Sequence, residues 1–170
     1  TRTWLGANPD GDLYLPLVDG SSGYRLAPDF RCDWTDFLGL ARRGLGQVDG
    51  GTEALTTALK LVRARPFLGV DPATYTGAEA DIQEMVSTIV DVAYELAVLH
   101  LAGGETSLAL EVAARGLRAD PANESLHLIG IEAASRRGDH ADVARLEERL
   151  RAQLESIDPD ARPDSFTSLR

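Results

Sequence analysis

The sequence predicts a mainly α-helical fold of stacked helical hairpins, preceded by a short N-terminal β-hairpin. Beyond residue 31, apolar residues recur at helical spacing through most of the chain. Residues 104–121 read G-E-T-S-L-A-L-E-V-A-A-R-G-L-R-A-D-P, and Gly138 begins a second, weaker version 34 residues after Gly104. Two β-favouring runs separated by turn-forming residues predict the β-hairpin.

The β-hairpin is expected within residues 1–30. Residues 14–18 and 24–26 favour β-structure, and D-G-S-S-G between them is turn chemistry, with Tyr14 and Tyr24 expected to pair across the strands. The N-P-D-G segment at residues 8–11 is another turn signal. Residues 1–5 are expected to be the last turn of a truncated helix. Because the first residue is Thr1, we expect the sequence to be a piece of a longer chain.

Two helices are predicted between residues 33 and 66. The first has its apolar residues at Phe37, Leu38, Ala41 and Leu45. The second is expected to begin with Thr52 as its N-cap, to bury Leu55, Leu59 and Val62, and to end at Pro66. The two residues that follow, Phe67 and Leu68, are expected to pack against the core.

A long helix and three shorter ones are predicted after residue 76. Thr76 and Glu79 have capping-box spacing at the start of the long helix, which Gly103 and Gly104 end. The expected apolar faces of the four helices, in order, are Ile82, Met85, Val86, Ile89, Ala93, Leu96 and His100; Leu108, Ala109, Val112 and Gly116, closed by Asp120-Pro121; Leu126, Ile129, Gly130 and Ala133, closed by Gly138; and Val143, Leu146, Leu150 and Leu154.

Charge and composition exclude several classes of protein. The chain carries 17 basic and 27 acidic residues, a net charge of −10, and residues 76–170 hold 18 of the acidic residues against nine basic ones. Such a surface repels nucleic-acid phosphates. The single cysteine, Cys32, cannot form an internal disulfide and is expected to be a packed thiol in a reducing, cytoplasmic setting. No run has the length and apolar composition of a membrane span, and no signal peptide opens the sequence.

The sequence lacks the motifs of the common enzyme classes. It contains no phosphate-binding glycine loop, no H-E-x-x-H, no C-x-x-C and no G-x-S-x-G. The D-H-A-D segment at residues 139–142 is better explained as a helix start, where acidic residues favour capping, than as a metal site. We therefore expect no catalytic residue, no cofactor and no metal.

The 34-residue interval is the period of the tetratricopeptide repeat, whose stacked hairpins form a partner-binding groove. The order of further segments narrows the resemblance: G-Y-R-L at residues 23–26, D-W-T-D-F at 33–37, L-V-R-A-R-P-F-L-G at 61–69, and then two repeat-like helical pairs. This order resembles the bacterial transcriptional activator domain of the actinobacterial antibiotic-regulatory protein family.

That resemblance implies three parts: residues 1–30 as the wing hairpin left from a winged-helix domain, residues 31–157 as a tetratricopeptide-like effector domain, and residues 158–170 as a flexible tail. It implies a non-catalytic regulatory module that binds a protein partner or a second copy of itself. DNA would be bound only through the attached winged-helix region, and this piece would not contact a membrane. The basic residues of the wing are only Arg2 and Arg25, against four aspartates.

Two other functions stay open. Q-E-M at residues 83–85 and I-V-D-V-A at 89–93 are similar to a related actinobacterial group, in which such a module ends a membrane-anchored chain and acts as a cytosolic scaffold without DNA binding. An enzyme or small-ligand sensor that uses the groove is the third hypothesis, and a deep pocket lined with polar groups would favour it.

The candidate binding residues follow from these hypotheses. The side chains expected to contact a protein partner are Tyr94, Glu95, His100, Glu105, His127 and Arg136. Contacts with a DNA backbone are expected, if anywhere, from Arg2, Arg25, Arg42 and Arg43, with Arg63 and Arg65 extending the same basic edge. Ordinary ion pairs on solvated helix faces are the competing explanation for these arginines. For His100 and His127, a core histidine held by a hydrogen bond is favoured over a catalytic base.

Overall fold

The computed structural model describes residues 5–16, 26–46, 50–71, 73 and 77–157. Within them the chain is mainly α-helical, as the sequence predicts. The described helices are α1 (Asp33–Gly46), α2 (Gly51–Lys60), α3 (Glu79–Ala102), α4 (Thr106–Gly116), α5 (Glu124–Arg136) and α6 (His140–Ile157). The chain divides into two compact units, residues 1–36 and 37–170, so α1 begins in the first unit and continues into the second.

The first unit is organised around the predicted turn at residues 8–11. The Asn8 side chain accepts hydrogen bonds from the backbone N–H groups of Asp10 and Asp12, at 3.1 and 2.8 Å, and an isolated antiparallel bridge pairs Ala7 with Leu13. This turn is confirmed. Residues 17–25, which hold most of the expected β-hairpin with Tyr24, lie outside the described residues, as do residues 1–4 and the expected tail at 158–170.

The ring of Tyr14 lies edge-on to Phe30, with a centroid separation of 5.7 Å. Asn8 also donates a 2.8 Å side-chain hydrogen bond to Asp29. These two contacts tie the turn to the segment just before α1, and both lie within the first unit.

The second unit is built around α3. This long helix packs against α2, α4 and α5; α4 packs against α2 and α5, and α5 packs against α6. Apolar residues predicted for the interior are buried where these helices meet, among them Leu55, Leu59, Leu96, Leu126 and Leu150. Burial of such residues is the main favourable contribution to folding. The helical spacing in the sequence therefore identified most of this core.

Glycines set the closest approaches between helices. A Cβ added at Gly116 would lie 2.6 Å from Leu126 and 2.7 Å from Ala93, so α4 can contact α3 and α5 only because this side chain is absent. Gly44 and Gly51 have the same role between α1 and α2, since a Cβ on Gly51 would lie 2.7 Å from the carbonyl oxygen of Gly44. The predicted place of Gly116 on the inward face of α4 is therefore confirmed.

The turns after α3 and α5 have the same hydrogen bonds at an offset of 34 residues. Gly104 and Gly138 are both in the left-handed region, with φ of 77° and 73°. After α3, Glu105 N–H donates to the carbonyl of His100 and Gly104 N–H to that of Leu101. After α5, the corresponding donors are Asp139 and Gly138, and the acceptors are Ala134 and Ser135. Both turns are Schellman motifs, which require glycine at the left-handed position.

Several expected helix boundaries are wrong. Thr52 is not the N-cap of α2, because the helix already begins at Gly51 and the left-handed Gly50 precedes it. α2 ends at Lys60, well before Pro66. After α2 the chain continues through turns, with Leu61 and Val62 donating to the carbonyls of Ala58 and Leu59, and the position of Pro66 did not indicate these turns.

The start of α3 and the end of α4 also differ from expectation. α3 begins at Glu79 with Ala78 at the N-cap and no side-chain cap, so Glu79 is not at the third position of a capping box, and Thr76 lies outside the described residues. α4 ends at Gly116 and a turn follows it, before Asp120-Pro121 is reached. Its expected core residue Leu108 is 43% exposed.

Candidate functional site

α3 is apolar around more of its circumference than its neighbours can cover. By length and composition it is the helix, among the described residues, that could span a membrane, although no such segment was expected from the sequence. Its contacts with α2, α4 and α5 bury Val92, Ala93, Leu96 and Ala97 along one side. Part of the apolar composition of α3 is thus explained by the core, and part is not.

The side of α3 that no described helix covers forms a continuous stripe. Asp91, Tyr94, Glu95, Val98 and Leu99 are all exposed, and each lies three or four residues from another of the five, which places them on one helix face. We refer to these five residues as the α3 outer face. Tyr94, Val98 and Leu99 are 40%, 37% and 46% exposed, so a partner could bury all three. The geometry brings together the predicted candidates Tyr94 and Glu95.

The α3 outer face is negatively charged. Glu79–Ala102 contains five carboxylates and no lysine or arginine. Within the part of the chain that the structure describes, Glu84, Asp91 and Glu95 form no ion pair. Unpaired carboxylates beside exposed apolar side chains favour a ligand that supplies both apolar groups and positive charge.

Arg136 lies against the C-terminal end of α3. Its Nη1 donates to the carbonyl of Leu101 at 3.2 Å, and its Nε donates to Glu132 at 2.7 Å. The Leu101 carbonyl also accepts from Gly104 N–H in the turn after α3, so the bond from Arg136 gives it a second donor. Arg136 therefore links α5 to α3 and remains half-exposed.

His100 and Glu105 are bonded to each other. His100 is buried on the core side of α3, and its Nδ1 lies 2.6 Å from the carboxylate of Glu105, which is largely exposed. The pair connects the end of α3 to the start of α4 beside the first Schellman turn. These two candidates thus have a structural partner in one another, and His100 does not lie on the α3 outer face.

His127 is fully buried in α5, with 0% of its surface exposed. Its Nε2 donates to the carbonyl of Pro121 at 2.9 Å, and its buried Nδ1 has no hydrogen-bond partner in the structure. A partner protein cannot contact this side chain while α5 is folded. His127 is therefore removed from the candidate contact residues.

Four of the six proposed basic residues lie in the described part of the chain. Arg42 and Arg43 are exposed on α1, and Arg2 and Arg25 lie outside the described residues. Arg63 is exposed and Arg65 half-buried in the segment after α2. Arg63 and Arg65 come just before an exposed apolar loop in the sequence.

This apolar loop, defined as residues 66–70, contradicts the expectation that Phe67 and Leu68 pack against the core. Phe67, Leu68 and Val70 are 46%, 72% and 40% exposed. Two successive turns explain the exposure: Leu68 N–H donates to the carbonyl of Arg65, and Val70 N–H to that of Phe67. The third residues of these turns, Phe67 and Gly69, have φ of 59° and 85°. For a residue as bulky as phenylalanine this conformation is strained.

Sequence reasoning missed Val98 and Leu99. A signal was present, because only Asp91, Glu95 and His100 interrupt an otherwise apolar or aromatic sequence from residue 90 to 102. A helix that is apolar on all sides needs cover on all sides. The sequence could not show which side its neighbours would leave open.

No metal site is found among the described residues, in which no group of three His, Cys, Asp or Glu side chains could hold an ion. The D-H-A-D segment does start a helix, as expected. Asp139 accepts a 3.0 Å hydrogen bond from the backbone N–H of Asp142, which is the geometry of an N-cap.

Comparison with known proteins does not identify the chain. A scan against protein-family models, a search of curated proteins and a search of solved structures each give no match.

Proposed function

We propose that this chain is a non-catalytic protein-interaction module of a cytoplasmic transcriptional regulator, and that it binds its partner through the α3 outer face. The observation that carries the proposal is the exposure of Tyr94, Val98 and Leu99 beside the unpaired carboxylates Asp91 and Glu95. Exposed apolar side chains in a contiguous patch are typical of interaction sites. Binding, with no chemical step, is the activity that this surface supports.

The fold proposed for the module is tetratricopeptide-like, with α3–α4 and α5–α6 as two repeats. The equivalent turns at Gly104 and Gly138 support this assignment, as does the packing of α3 directly on α5, the first helices of the two hairpins. In such repeats the first helices line the concave groove. Arg136, which joins α5 to α3, would then form one end of that groove.

The chemistry of the surface selects a class of partner. Because α3 contributes carboxylates and no basic residue, the partner is expected to present apolar anchors with a lysine- or arginine-rich border. Its binding should weaken as salt is added, since the flanking charges are exposed.

The regulatory part of the proposal is supported by the order of the G-Y-R-L, D-W-T-D-F and L-V-R-A-R-P-F-L-G segments. Partner binding or self-association by the helical module would be coupled to a winged-helix domain in a longer chain. DNA binding is then expected of the longer chain and not of residues 1–170 alone, and a titration of both with duplex DNA at low salt tests this part. If neither binds, the module serves a regulator or scaffold that does not contact DNA.

The binding surface can be tested with a displayed library of random peptides, selected against the immobilised protein. We expect enriched peptides to combine apolar and basic residues, and we expect Leu99→Asp to weaken their binding by at least about tenfold. Leu45→Asp is the matched control, because Leu45 is a comparably exposed leucine on α1.

The outcome that contradicts the proposal is also defined. Peptides that bind Leu99→Asp as tightly as the wild-type chain, or that lose binding equally in both variants, would place the interaction elsewhere. Circular dichroism of both variants confirms that each is folded.

A further inference from the structure

We propose that the apolar loop of one molecule docks on the α3 outer face of a second copy, so that the chain self-associates head to tail. The inference rests on the proposed function, since it uses the same receptor surface and names its occupant. Both surfaces belong to the second compact unit, residues 37–170.

The apolar loop exposes side chains that a second molecule could bind. Its two successive turns leave Leu68 as its most exposed apolar side chain, with Phe67 and Val70 on either side. At 72% exposure, Leu68 is not docked within its own molecule. Three apolar side chains on the loop match three on the α3 outer face, namely Tyr94, Val98 and Leu99.

The charges of the two surfaces are complementary. Lys60 and Arg65 precede the apolar loop, whereas the charged residues of α3 are all aspartate or glutamate. Bringing the loop to α3 places cations near Asp91 and Glu95. Complementary potentials of this kind raise the rate of encounter and fix orientation.

The same charges argue against the simpler dimer in which two α3 outer faces meet. Face-to-face pairing of α3 would bring Asp91 and Glu95 near the carboxylates of the other copy, with no basic residue of α3 to offset them. Like charges in an interface are unfavourable. The loop supplies the cations that a second α3 lacks.

Docking of this kind is heterologous, because different surfaces of the two copies meet. Each complex leaves one loop and one outer face open, so association continues into longer chains unless the geometry closes a ring. The surfaces are small, with three large apolar side chains on each. The interaction therefore belongs to the weak class that buries less than about 1,200 Å².

Complementation between two variants gives the decisive test. Leu68→Asp disrupts the apolar loop and leaves the α3 outer face intact. Val98→Asp disrupts the α3 outer face and leaves the apolar loop intact. By sedimentation velocity from micromolar to millimolar concentration, we expect wild-type mass to rise with concentration and each variant to remain monomeric. A mixture of the two variants is expected to form a 1:1 dimer that grows no further.

Charge variants provide a second measurement that does not alter the apolar patch. Glu95→Arg is expected to weaken self-association by about tenfold, and pairing it with Arg65→Glu is expected to restore part of the loss. Leu45→Asp again serves as the control, with association unchanged. Added salt should weaken the wild-type association.

The proposal is overturned if the wild-type chain stays monomeric throughout, or if the mixture of Leu68→Asp and Val98→Asp stays monomeric while the wild type associates. Peptide binding that still depends on Leu99 would leave the proposed function intact in either case. If peptide binding does not depend on Leu99 while the chain still self-associates, the result would count against the proposed peptide-binding role.

Discussion

The two helical hairpins of the second unit have the same turn between their helices but present different surfaces. The first, α3–α4, exposes Tyr94, Val98 and Leu99 on a helix without lysine or arginine. The second ends in α6, whose interior leucines Leu146 and Leu150 are buried while the exposed side carries ion pairs.

The difference lies in how the exposed side of each helix is satisfied. The charged side of α6 needs no further cover: Arg145 pairs with Asp142 at 2.7 Å and Arg151 pairs with Glu148. The α3 outer face lacks such pairs within the described residues, and it retains apolar area that a second molecule could bury.

The largest expected effect separates buried from exposed leucines on these two helices. Leu150→Ala should lower the free energy of unfolding by about 2–5 kcal/mol, because Leu150 is fully buried between α6 and the core. Leu99→Ala should cost less than about 1 kcal/mol, since nearly half of its side chain is already in water. Urea unfolding of both variants checks the contrast, and equal losses would mean that α3 is covered on its outer side.

The next effect tests how closely the first hairpin packs on the second. Gly116→Ala is expected to destabilise by about 1–3 kcal/mol, because its Cβ would overlap Leu126 and Ala93. Gly130→Ala is the matched helical control: its Cβ would meet its nearest neighbour at 3.7 Å, an ordinary contact. It should raise stability by roughly 0.5–1 kcal/mol, through the better helix propensity of alanine.

Thermal or urea unfolding of the two glycine variants distinguishes the cases by sign. A stabilising Gly116→Ala would show that α4 lies further from α3 and α5 than the structure places it.

The smallest effect compares the two turns themselves. Glu105→Ala should cost about 1 kcal/mol, because it leaves the buried Nδ1 of His100 without its partner. Glu105→Gln should retain part of this stability, since its amide oxygen can still accept a hydrogen bond. At the equivalent position of the second turn, Asp139→Ala should lose the N-cap of α6, about 1 kcal/mol.

Equilibrium unfolding of these three variants measures how much each turn relies on its side chains. If Glu105→Ala is neutral, the His100–Glu105 hydrogen bond adds nothing to stability.

Much of the fold could be predicted because it depends on local patterns. The burial of Leu55, Leu59 and Val62 follows from helical spacing, and the ends of α3 and α5 follow from glycines that alone adopt the left-handed conformation without strain. The N-cap at Asp139 was likewise readable from residue type and position.

The wrong predictions concern residues whose burial depends on tertiary packing. Phe67 and Leu68 were assigned to the core because large apolar side chains are usually buried, but two turns expose them. Leu108 fits the helical pattern of α4 and is nevertheless half-exposed. In contrast, His127 was a candidate for partner binding and is fully buried, whereas the alternative of a core histidine held by a hydrogen bond is confirmed.

The sequence by itself determined that the chain is mainly helical, where most helices lie, and that a left-handed glycine turn repeats after 34 residues, since these depend on neighbours along the chain. Tertiary structure alone decided which side of α3 is covered, that His100 bonds to Glu105, and that Leu68 faces water. These outcomes depend on which helices pack together and how closely. Gly116, for example, lets α4 approach Ala93 and Leu126 because it has no side chain, and the sequence does not show that these residues are its neighbours.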